Sequence, residues 1–217
     1  AYGAVVFRLG VDLIQTLTLG FSLDEVALQA AHLPWWHVVI VPTAGGLIVG
    51  LTLHFLHDGA RARAISDVVE ASALGGGRMP LRHNLVSSAV HIISLGFGAS
   101  TGREGPAVHL GATLSAFFAA RLGLGRTQSR TMLGCGVAAA TASLFNAPVA
   151  GVVFAIEVVV GNLSLKAAVP IVLASVTGTV IGRYHFGSEP AFTVPTHELI
   201  SLWEFPAFAI LGLVSAL

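Results

Sequence analysis

The sequence predicts an all-helical, polytopic membrane protein in which some helices cross the bilayer and others break or turn back within it. Of 217 residues, 54% are hydrophobic and 10% charged, with a mean hydropathy of +0.82. That exceeds the apolar share of a water-soluble domain and leaves too little charge for a water-facing surface. The apolar segments also differ in kind. Some reach the roughly 20 residues that a helix needs to cross the hydrocarbon core, while others are shorter and broken by Gly, Pro or polar clusters.

Ala1 to Phe21 reads as a helix rather than a signal peptide, because it carries no basic leading region and no small-residue cleavage pattern. Arg8 and Asp12 fall four residues apart on one face, placed to pair with each other or to meet a neighbouring helix. Leu33 to Phe55 is a second crossing segment, interrupted by Pro42, with Gly46 and Gly50 in a G-x-x-x-G spacing suited to close helix packing. Trp35, Trp36 and Trp203 read as interfacial anchors.

Asn84 to Ser100, Pro106 to Ala120, Thr131 to Leu144 and Pro148 to Val160 are the interrupted segments, several of them stopping inside the membrane. A helix end at that depth is tolerated only where it is buried in protein or lines a cavity, and paired broken helices point to a transport site. Ser164 to His185 again has crossing length, with Gly178 and Gly182 as packing glycines. Phe205 to Leu217 opens another apolar segment, so the chain reads as a single transmembrane unit over residues 1–217 that is truncated at its C-terminus.

Eleven basic and 11 acidic residues give a net charge of zero, which excludes a nucleic-acid partner. Arg61, Arg63, Arg78 and Arg82 against Asp24 and Glu25 in the first loop place the 57–82 region on the cytoplasmic side. The nine histidines show no metal-ligand spacing, and His37, His54, His91 and His109 read as packing or interface residues. Cys135, the single cysteine, reads as buried packing. Nothing suggests an enzyme, a metal or a cofactor.

The chemistry gathers at Gly102-Arg103-Glu104-Gly105-Pro106. A carboxylate inside a membrane segment costs roughly 2.5–3.5 kcal/mol on insertion scales and usually faces protein or a water-filled path. Pro106 suits the first turn of a helix. The amides around Arg103, Glu104 and Gly105 are then unpaired donors at the positive end of a helix dipole, which is an anion site. Gly102 and Gly105 allow the backbone to approach the ion. Glu104 either competes with the anion for those amides, as a gate, or merely caps its own helix while paired with Arg103.

This run, continued by Ala107 to Gly111, resembles the signature of the CLC family of chloride channels and chloride/proton antiporters. So does Leu144-Phe145-Asn146-Ala147-Pro148, with the residues that follow it to Glu157, about forty residues downstream. The resemblance covers nearly the whole chain and corresponds to the N-terminal of the family's two inverted halves. It implies one half of an inverted-repeat fold and a homodimer with one pore per subunit. It also implies a gating role for Glu104, binding of an external anion by the amides of Arg103, Glu104 and Gly105, and chloride as the transported ion with no cofactor.

Two positions depart from the family. Its glycine-serine-glycine-isoleucine-proline motif is expected about forty residues before Glu104, where this chain reads Ala62-Arg63-Ala64-Ile65-Ser66. Arg63 replaces the serine of the central anion site, and it is open to holding the anion, attracting it, or pointing to water as the default. A helix can still start there with Ser66 as N-cap. The proton-relay glutamate expected after Glu157 is Val158, which favours a channel over an antiporter unless Glu157 serves as the relay; otherwise Glu157 is a structural carboxylate. A non-conducting membrane scaffold or assembly subunit is the alternative of another class. Short loops and an alanine-rich composition suggest a bacterial inner membrane, with lipid, a second copy and the missing C-terminal half as partners. Asn162-Leu163-Ser164, a glycosylation match, is discounted on the same ground.

Overall fold

The computed structural model describes residues 1–21, 33–56, 61–161, 164–188 and 204–215, with no strand among them. In order they form α1 (Tyr2–Leu19), α2 (Trp35–Leu56), α3 (Ile65–Ala73), α4 (Leu81–Gly96), α5 (Glu104–Arg121) and α6 (Arg126–Phe145). There follow α7 (Pro148–Phe154), which continues as a π-helical turn (Ala155–Val160), α8 (Leu165–Phe186) and α9 (Glu204–Ser215). The positions Asp24, Glu25, His57, Asn162, Leu163 and Trp203 lie outside the described residues.

Helices α1, α2 and α8 have 18, 22 and 22 residues and are apolar enough to cross a membrane, in agreement with the three crossing segments read from the sequence. Proline does not interrupt α2 as expected, because the helix runs through Pro42. Trp35 and Trp36 stand exposed at its start. The seven-residue α7 with its π-helical turn is the short, broken element expected over Pro148 to Val160; the nine-residue α3 is a further short helix, outside the interrupted segments read from the sequence.

Helix α6 is the hub, flanked by α5 and α8 and touched by α1 and α7. It has 20 residues and starts at Arg126, five residues before the expected Thr131. Its first turn, Arg126-Thr127-Gln128-Ser129-Arg130, is polar and falls outside the apolar segment that marks the helix in the sequence. The helix is enclosed by protein, so a surface of Gly, Ala, Ser and Thr serves it better than the uniform apolarity that lipid demands.

Close approach is the reason for those small residues. In lipid, burying one apolar face against another gains little over leaving both in acyl chains, so association depends on tight van der Waals packing. A Cβ on Gly178 would come within 2.5 Å of the Ala139 carbonyl oxygen, and one on Gly182 equally close to that of Ser143. On the other side of α6, a Cβ on Gly111 would meet the Gly136 oxygen at 2.7 Å. Gly178 and Gly182 are thus the packing glycines expected. Gly46 and Gly50 are not, since a Cβ on either would meet nothing within 4 Å; the neighbouring Gly45 receives the Phe97 side chain instead. One residue turns a helix by about 100°, and the face toward α4 is that of Gly45.

Two apolar clusters fill the interior. Val68, Val108, Leu133, Val137 and Ile171 tie α3, α5, α6 and α8 together, and Phe7, Val11, Ala107, Leu110 and Leu144 lock α1 against α5 and α6. Cys135 packs at the edge of the first cluster and is half-buried rather than enclosed. Arg8 reaches a neighbouring helix, with its guanidinium 4.3 Å from the centre of the Phe186 ring. His37 Nε2 lies 2.8 Å from the Thr18 carbonyl oxygen and links α2 to the end of α1.

Candidate functional site

Helix α4 stops at Gly96, and Gly98 adopts a positive φ of 89° that L side chains rarely take, turning the chain back. The Ala99 amide donates to Ser94 O (3.1 Å) and the Thr101 amide to Ala99 O (2.9 Å), which fixes the loop that delivers Gly102 and Arg103 to the head of α5. Arg103 is the N-cap and makes no side-chain capping bond. Glu104 is the first helical residue, two positions earlier than Pro106 suggested, and Pro106 is third. A ring without an N–H loses nothing in the first turn, where amides have no intrahelical acceptor. The first intrahelical bond runs from Ala107 N to Arg103 O (3.3 Å), so the amides of Glu104 and Gly105 remain donors at the dipole's positive end.

The Glu104 side chain is exposed and folds back, bringing Oε2 over the Gly102 backbone into the space that a Cβ there would occupy. Among the described residues no ion pair joins Glu104 to Arg103. Gly105 faces the Ala62-Arg63-Ala64-Ile65-Ser66 segment, since a Cβ on it would stand 3.7 Å from the Ile65 side chain at the head of α3. The starts of α3 and α5 are therefore neighbours although they lie far apart in sequence.

At α3 the capping differs from the expectation. Ser66 is exposed and lies inside the helix; the N-cap is Ala64, and its N–H donates to Asp67 Oδ2 at 2.8 Å while Asp67 N donates to Ala64 O at 3.1 Å. The longer, charged Asp67 side chain reaches back across the turn, and Ser66, one residue past the helix start, has no geometry for it. Arg63 does not point to water. Its guanidinium donates to Asn84 Oδ1 (3.3 Å), its N–H to Ser87 Oγ (3.2 Å), and its carbonyl lies 3.0 Å from His91 Nε2.

The Asn146-Ala147-Pro148 helix start forms as its sequence suggests. Asn146 ends α6 in the left-handed region (φ 54°), accepts from Arg183 Nε at 2.7 Å and donates to Ser188 O at 2.9 Å, and Pro148 begins α7. The helix then loosens into the π turn, closed by Gly161 N donating to Ile156 O (2.8 Å). Glu157 is exposed on that turn, whereas Val158 packs against the main core. The loop thus gathers Gly102, Arg103, Glu104, Gly105 and Pro106, and brings Arg63 and Ser66 to the neighbouring helix start. His109 is buried, in keeping with its reading as a packing residue; the sequence alone does not point to Asn84 or to Asp67 as the capping acid, and only the acid three residues after Ala64 is a local signal.

Comparisons agree with this architecture. The family model described as "Voltage gated chloride channel" matches residues 45–217. A putative chloride channel protein ClcB-like from Ralstonia nicotianae is 35% identical over 100% of this chain and 51% of its own length. The voltage-gated ClC-type chloride channel ClcB of Yersinia pestis is 33% identical, covering 90% of this chain and 48% of the relative. The crystal structure of a CLC-type fluoride/proton antiporter superposes with a TM-score of 0.68 at 25% identity, over 98% of this chain and 52% of that one. The chain spans about half the length of these bacterial relatives and of the solved structure. Matched by the family model over residues 45–217 and in fold by the solved structure, the chain belongs to the voltage gated chloride channel family.

Proposed function

We infer that the chain is the N-terminal half of a subunit that carries chloride or a similar small anion across a membrane, channel-like, with Glu104 as its gate. The observation that carries this reading is the Glu104 carboxylate folded over Gly102 at a helix start whose first amides lack acceptors. Charged and folded back, the carboxylate competes with an anion for the amides of Arg103, Glu104 and Gly105. Protonated or rotated away, it leaves those donors to the anion. The relatives' names support chloride as the ion.

Val158 supports passive conduction, because an apolar side chain relays no proton. Coupled exchange is the second reading, supported by the similarity to a fluoride/proton antiporter. Glu157 is then the relay, since a π turn shifts the register of the residues it carries. The subunit pairs with a second copy in a bacterial inner membrane, and the other half of the repeat completes the pore.

Radiolabelled chloride efflux from vesicles holding the complete subunit tests the gate. Glu104→Gln should raise flux and flatten its dependence on pH. Unchanged flux with an unchanged pH response removes Glu104 from gating, and no flux from any form points to a scaffold.

A further inference from the structure

Between α3, α4 and α5 lies a cluster of polar groups with more donors than acceptors. Asn84 and His109 are both 0% exposed. Asn84 accepts from Arg63 through Oδ1, but its Nδ2 has no partner among the described residues, nor has either ring nitrogen of His109. A buried polar group left unpaired costs about 1–3 kcal/mol, so the two unpaired donors here, the Asn84 amide and the one N–H of a neutral His109 ring, call for an acceptor. His109 lies one turn past Gly105, on the face of α5 that meets Ile65, and its ionisable neighbours are Asp67, His91 and Arg63.

The charges there do not cancel. Asp67 is committed elsewhere: Arg61 donates to its two oxygens at 2.9 and 3.2 Å, and the Ala64 amide donates to Oδ2 at 2.8 Å. His91 Nε2 is engaged with the Arg63 carbonyl. The half-buried Arg63 guanidinium meets a neutral amide and, among the described residues, no carboxylate. A cation withdrawn from water without a counter-charge, beside further N–H donors, is stabilised by an anion that accepts from all of them. Water satisfies donors but leaves the charge unbalanced.

We propose that Arg63, Asn84 and His109 form a binding pocket for one small inorganic anion of halide size. Because Arg63 is turned toward α4, the pocket lies among α3, α4 and α5 rather than in front of the first amides of α3. The identity of the anion rests on the transport reading, whereas the pocket does not depend on Glu104 acting as a gate.

Crystals of the complete subunit with chloride exchanged for bromide test it. An anomalous peak bounded by Arg63, Asn84 and His109 is expected. Asn84→Asp supplies a carboxylate to Arg63 and should remove the peak. His109→Leu removes one donor while keeping Arg63 and Asn84, and should lower the bromide occupancy severalfold. No peak in the wild-type protein, when bromide binds elsewhere in the same crystal, overturns the pocket, as does a peak that neither substitution alters. A missing peak with Glu104→Gln still raising flux leaves the gate standing; a peak present with flux indifferent to Glu104 leaves the pocket standing.

Discussion

The Glu104 carboxylate lies over the backbone of Gly102, in the space that any side chain at position 102 would need. The glycine therefore does more than loosen a loop: it determines where the charged group two residues later can rest.

Gly102→Ala should displace the carboxylate without removing it. Chloride flux at neutral pH is expected to rise while a response to acidification persists. In Glu104→Gln the flux should rise by at least about tenfold, equivalent to about 1.4 kcal/mol in favour of opening, and the response should flatten. Efflux measured over a range of pH separates the two variants, and identical profiles would show that the resting place of the carboxylate is irrelevant.

Passive conduction has an electrical signature. With Val158 in place of a titratable residue, the reversal potential across a pH gradient should stay at the chloride equilibrium value. A shift toward the proton gradient makes the subunit an exchanger, and its loss in Glu157→Gln would then identify Glu157 as the relay.

Helix packing predicts a contrast between glycines. Gly178→Ala places a Cβ 2.5 Å from the Ala139 oxygen and 2.8 Å from its Cα, with backbone that cannot swing aside. Overpacking of this kind costs about 1–3 kcal/mol, visible as a lower melting temperature of the complete subunit in detergent. Gly46→Ala, which meets nothing within 4 Å, should melt no lower than wild type.

Asn146 holds a left-handed backbone while bonding Arg183 and Ser188. Asn146→Gly keeps the backbone and loses the side-chain bonds, each worth about 0.5–1.5 kcal/mol, whereas Asn146→Ala adds about 1–2 kcal/mol of strain. The alanine variant should therefore unfold at the lower temperature, and equal melting points would assign Asn146 no conformational role.

The sequence by itself determined the membrane class, the crossing helices α1, α2 and α8, and the helix starts near Glu104 and at Pro148. Those follow from local signals: apolar length, a proline in a first turn, and glycines where a backbone must bend. It could not decide which glycine of α2 meets a neighbour, because Gly45 and Gly46 differ only in the face they present and α4 supplies the partner. Nor could it place Arg63, Asn84 and His109 together, since they come from three separate segments. Burial and the pairing of charges depend on which helix faces pack, and only the assembled helices settle that Asp67 is taken by Arg61 while Arg63 turns inward to Asn84.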